Sequence, residues 1–236
     1  MESGSVNKLE ALALIVGPTL ALLFFLLEPG GMLVDSVASS DAAGKVRALA
    51  SNPAMSHVVA LFIPLGLLLM IYGLAGVNRA IVISRVIAED DTAAALSRFG
   101  ILGMTLGGFG WILSEGTTHI LAETRIQSEQ AIQAAIPVHE MGIAITLISS
   151  MVVSVGVLAF SLSLSARDPM GFHKVASLVI AAVSVVALVA LIIGHSAPSE
   201  AMITLGRLCY FPWVIWFVIL GVRYLKAGSA AQASTA

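Results

Sequence analysis

Six stretches, residues 11–27, 57–77, 99–120, 139–161, 175–195 and 205–225, are apolar almost throughout, and nothing else in the chain restricts its fold so strongly. About twenty helical residues are needed to cross the roughly 30 Å hydrocarbon core of a bilayer. In lipid every backbone polar group must be paired within the segment, so stretches of this length cross as helices. Composition agrees: 58% of residues are hydrophobic and 11% are charged, against about 25% charged in soluble domains. The expected fold class is all-α, a polytopic integral membrane protein. It is read as a single bundle of about six transmembrane helices over residues 1–227, with a tail, 228–236, that is small, polar and expected to be disordered.

The first stretch is read as a span rather than a signal peptide, because its flank carries one Lys and two Glu and no small-residue cleavage site follows it promptly. Pro18 and Pro64 fall inside spans, where membrane helices tolerate a kink if neighbours satisfy the freed carbonyl. With the N-terminus in the cytoplasm, Lys8, Arg79, Arg85, Arg98, Arg167, Lys174, Arg223 and Lys226 lie inside, and Lys45, Arg47, Arg125 and Arg207 lie outside. This excess predicts that both termini are cytoplasmic.

Between the spans, Pro29-Gly30-Gly31 opens an outer loop that contains a short predicted helix, 41–50, with Ser40 or Asp41 as its N-cap. The inner stretch 78–97 reads as interfacial, with a helix start at Asp91 or Thr92. The third helix is expected to continue beyond the membrane over 121–135, presenting Glu123, Arg125, Gln127, Glu129 and Gln130 to solvent. Pro137 disfavours helix at Ile136 and lets the fourth helix start at His139. Gly100, Gly103, Gly107 and Gly110 recur at helical spacing on the third span, a pattern that favours close approach of another helix.

Charge excludes one class of partner. A formal charge of -2, with basic residues scattered along the chain, offers no field for nucleic acid. The expected partners are the lipid bilayer and either a second copy of the chain or another subunit of a membrane complex. The one cysteine, Cys209, cannot form an intrachain disulfide and is expected to pack as a small apolar residue.

The chemistry is concentrated at span ends. Four of the five histidines, His57, His119, His139 and His195, begin or end four different spans on the same predicted face, with Glu115 and Glu140 beside them. Ionisable groups at a bilayer edge cost free energy unless paired, ligated or hydrated. Glu115 and His119 are four residues apart and share a helix face, and Glu123 extends it by a turn. His139 and Glu140 point about 100° apart. His139 follows the polar stripe of Gly142, Thr146 and Ser149 or Ser150, which makes it the inward one. No second histidine stands four residues after His139, so the zinc-protease pattern fails.

Imidazoles with carboxylates suit a transition metal ion, Zn, Cu or Fe, for which His119, His139, Glu115, His57, His195 and Glu140 form the expected ligand set. Two histidines across a bundle also suit a haem iron, and haem b is the second choice. The function expected is metal binding by an outer-facing cluster, serving redox chemistry on a lipid-soluble or extracytoplasmic substrate. The alternatives are a small proton-coupled transporter using the same cluster and a non-catalytic accessory or structural membrane subunit.

Overall fold

In the computed structural model, residues 6–87, 91–124, 128–166, 172–197 and 199–233 are described. They form eight helices: α1 (Lys8–Leu26), α2 (Ala42–Ser51), α3 (Pro53–Ile87), α4 (Asp91–Ala122), α5 (Glu129–Ser165), α6 (Phe172–Ser196), α7 (Glu200–Leu208) and α8 (Tyr210–Ala233). Six units are long and apolar enough to cross a membrane: α1, α3, α4, α5, α6 and the α7–α8 pair. They make a single all-α bundle. Each spanning unit packs on two neighbours, in the order α1, α3, α4, α5, α6, α7–α8 and back to α1. The helices therefore close a ring around a central space.

Small residues set the spacing of that ring. A Cβ placed on Gly103 would lie 3.0 Å from Gly156 Cα, and one on Gly156 would lie 2.6 Å from Met104 N, so α4 and α5 touch backbone to backbone. Gly17 and Gly66 do the same for α1 and α3, where a Cβ on Gly17 would come within 2.5 Å of Met70 N. Lipid gives no hydrophobic drive for such contacts, and close van der Waals approach supplies it instead. Between the small residues, Phe160, Leu14, Leu74 and Met104 fill the apolar core.

The end of the bundle bearing Lys8 is fixed by a buried acid. Glu10, 3% exposed, closes a capping box with Asn7 and accepts a hydrogen bond from Arg79 Nη2 at 2.9 Å. The opposite end, where the histidines lie, carries a lid made of the 27–41 loop and α2. Asp41 caps α2 by accepting from Gly44 N at 2.8 Å. Val46 and Leu49 of α2 pack on Leu121 of α4 and on Ile132 and Ala135 of α5. The loop turns at Gly30, whose φ of 78° suits glycine, and Lys45 Nζ donates to the Gly30 carbonyl. Its far side is tied to α7, where Glu200 Oε1 accepts from Ser40 N at 2.9 Å and Arg207 Nη1 donates to Ser39 Oγ at 3.3 Å.

Three helix boundaries differ from expectation. α4 ends at Ala122, and of the stretch expected to prolong it residues 129–135 belong to the next helix: α5 begins at Glu129 and runs through Pro137 rather than starting at His139. Ser128 supplies the start by accepting from Ala131 N at 3.3 Å. Burial of Ile132 and Ala135 under α2 outweighs the single backbone bond that Pro137 forgoes. Arg125 and Gln127 of that stretch lie outside the described residues, as does Arg167. α8 runs to Ala233, through most of the tail expected to be disordered, and residues 234–236 lie outside the described residues.

Candidate functional site

The histidine end holds two separate groups of polar side chains rather than one. On the rim, His57 in the second turn of α3 meets His119 in the last turn of α4, with Nδ1 of the two rings 2.9 Å apart. His57 Nε2 lies 3.1 Å from Glu123 Oε1. The three residues each present a ligand-type atom, all within 4.8 Å of one another, so this group could hold a metal ion. His57 is half-buried, whereas His119 and Glu123 are exposed.

In the neutral tautomer of His57 that donates Nε2–H to the Glu123 carboxylate, Nδ1 is bare and can accept from His119 Nδ1–H. A carboxylate on the far nitrogen of a histidine is the usual way a metal-binding imidazole is oriented and its tautomer fixed.

The second group lines the central space, a cavity of about 430 Å³ bounded by all six spanning units and roofed by Leu49 of α2. Its walls are mainly apolar, from Pro18, Ile63, Met104, Val157 and Phe217 among others. Towards the histidine end it is lined by Glu28, Glu115, His139, His195 and Arg207. Glu115 and His119 differ by about 40° around α4, which turns Glu115 to the cavity and leaves His119 on the rim. His139 is half-buried and His195 exposed. Glu140 is exposed and belongs to neither group. Of the six expected ligands, then, His57 and His119 come together, Glu115, His139 and His195 share the cavity, and Glu140 stands apart.

Hydrogen bonding inside the cavity is uneven. Ser150 of α5 accepts from Trp111 Nε1 at 3.0 Å and from Tyr210 Oη at 2.6 Å, and donates to the Thr146 carbonyl at 2.7 Å. That tie joins α4, α5 and α8. In contrast, Glu115 Oε2 and Trp213 Nε1 are buried with no hydrogen-bond partner among the described residues.

Charge at the cavity mouth comes from the lid and from Arg207 of α7. Burial raises the pKa of Glu28, with Lys45 and Arg207 pulling the other way. Burial holds Lys45 below the usual lysine range, Arg207 adds to that shift, and Glu28 and Glu200 oppose it. Neither Glu28 nor Lys45 stands out in the sequence: an acid closing an apolar span and a lysine on a short helix have no periodic relation to the histidines. Trp213 was equally hidden, since one indole in an aromatic run shows nothing of its bonding.

Comparison with known proteins gives no relative to reason from: no family model, curated protein or solved structure matches the chain.

Proposed function

We propose that this integral membrane protein binds a transition metal ion through Nδ1 of His57 and Nδ1 of His119, with Glu123 holding His57 from its far nitrogen. The convergence of these three side chains from two spans carries the reading. For both Nδ1 atoms to face an ion, the proton between them would move to His119 Nε2, so that each ring stays a neutral imidazole. Nitrogens about 2.0–2.1 Å from a tetrahedral ion would stand about 3.3 Å apart, close to the observed 2.9 Å, and both rings would turn so that their lone pairs met at the ion rather than at each other. An ion held there would be reachable by water or a substrate from the rim, where His119 and Glu123 are exposed.

Imidazole donors suit Zn, Cu and Fe. Haem is the poorer fit, because the two rings lie 4.6 Å apart between centroids and hydrogen-bond directly, with no gap for a macrocycle between them. His119 is four residues from the cavity-lining Glu115, about 6 Å along the helix axis. A redox-active ion on the rim would thus lie close to a lipid-soluble substrate in the cavity, and redox chemistry on such a molecule is the reaction class this supports.

Elemental analysis and titration of the purified chain with Zn(II), Cu(II) and Fe(II) test the proposal. One ion per chain is expected. His119→Ala should abolish binding and Glu123→Gln should weaken it about 10–100-fold. Absence of any bound ion after titration, or unchanged affinity in His119→Ala, refutes it.

A further inference from the structure

Buried polar atoms in folded proteins are nearly always hydrogen-bonded, and each exception calls for an explanation. Two side-chain exceptions occur among the described residues, Glu115 Oε2 and Trp213 Nε1, and both residues line the central cavity. They come from α4 and α8, which are not neighbours in the ring, so they approach one space from separate walls. The nearby polar groups leave no general shortage of partners to invoke, since Trp111, Tyr210 and Ser150 satisfy one another.

The lining also has a definite shape preference. Trp111 and Tyr210 meet edge to face with centroids 5.4 Å apart, and Tyr210 and Trp213 are also 5.4 Å apart. Phe25 meets Tyr210 edge to face at 6.2 Å and Phe217 also lines the cavity, so aromatic rings make up part of its surface, which suits a flat ring. The volume of about 430 Å³ falls in the range of small-molecule sites, roughly 300–1,000 Å³. A long acidic lipid is a poorer match, because Glu115 would meet its carboxylate.

We propose that the cavity binds a planar, lipid-soluble ring molecule bearing two oxygen functions, of the quinone or quinol type, with Trp213 Nε1–H donating to one oxygen and the Glu115 carboxyl bonded to the other. This names the substrate class of the redox reading above and rests on it for its chemistry, but binding in the cavity does not use the metal centre, because His57, His119 and Glu123 do not line it, so the two can fail separately.

The test uses the full chain in detergent and, as probe, a fully substituted 1,4-benzoquinone carrying a decyl chain, in oxidised and reduced forms. Decylbenzene and decanoate are the comparison compounds. Cys209 is the sole cysteine and is buried, so a thiol-reactive dye reports unfolding and gives Tm directly. Quenching of tryptophan fluorescence gives Kd. Saturable binding of the quinone or quinol with a rise in Tm is expected, with a much smaller rise from either comparison compound.

Trp213→Phe, which keeps the ring and removes the donor, should weaken binding about tenfold. Glu115→Leu should weaken it at least as much while leaving the ligand-free Tm unchanged or higher, because it removes an unsatisfied buried group. His119→Ala should bind the probe as the parent does. An equal Tm rise from decylbenzene or decanoate, no rise from the quinone, or unchanged affinity in both Trp213→Phe and Glu115→Leu overturns the proposal.

Discussion

Replacing Gly156 by alanine tests whether backbone contact between α4 and α5 holds the bundle together. The new Cβ would lie 2.6 Å from Met104 N, 2.9 Å from the Gly100 carbonyl oxygen and 3.0 Å from Gly103 C. The first is 0.8 Å short of the 3.4 Å at which ordinary contact begins, and all three are backbone atoms that no rotamer change can move. The two helices must therefore separate by most of an ångström along the seam. Overpacking of this kind costs about 1–3 kcal/mol, and lipid offers no hydrophobic compensation. Alanine also favours helix over glycine by about 0.5–1 kcal/mol, which masks part of the loss.

Gly116 on the same seam helix removes that ambiguity, because a Cβ there meets nothing within 4 Å. Gly116→Ala carries the propensity gain alone. The stability gap between the two variants isolates the packing cost, and a gap of about 1–3 kcal/mol is expected. Unfolding in mixed micelles of increasing SDS content, followed by tryptophan fluorescence, measures it. If the two variants are equally stable, backbone contact at the α4–α5 seam is not what holds those helices together.

Two further outcomes follow from charges at opposite ends. Arg79→Leu should destabilise by about 1–3 kcal/mol, less than for a fully buried pair because the Arg79 side chain is half exposed. Adding Glu10→Leu should recover most of that loss, as SDS unfolding would show, since the stranded acid is then gone. At the lid, burial raises the pKa of Glu28, so the folded state takes up a proton that the unfolded state releases. That contribution is present at pH below the unfolded carboxylate value, 4.5, and is lost as pH rises through the higher folded value. Glu28→Gln should thus gain stability relative to the parent as pH rises from 4 upwards, read as a widening Tm difference. A difference that narrows instead would mean that the pairing with Lys45 and Arg207 prevails over burial.

The membrane fold was legible because it depends on length and polarity alone: six apolar stretches imply six crossings whichever way the helices pack. The Gly100–Gly110 pattern also announced a close seam, and α5 meets it through Gly156. Helix ends were harder. Pro137 carries a local preference that burial of Ile132 and Ala135 overrides, and a pattern read residue by residue has no access to a packing partner ninety positions away on α2. The site was legible in kind rather than in grouping. His57 and His119 end neighbouring helices and meet, but the angle between Glu115 and His119 around α4, which assigns one to the cavity and the other to the rim, depends on where α3 and α5 stand.

The ring closes between the first helix and the last, where a Cβ on Gly221 of α8 would lie 2.8 Å from the Ala11 carbonyl of α1. During synthesis α1 enters the membrane long before α8 exists, and until then one of its faces has only lipid to touch. A chain interrupted before α8 would leave the central cavity as an open trough, lacking Tyr210 and Trp213. Assembly of the chamber thus has an order: the units before α8 can pack as a trough, and only the arrival of α8 against α1 seals it.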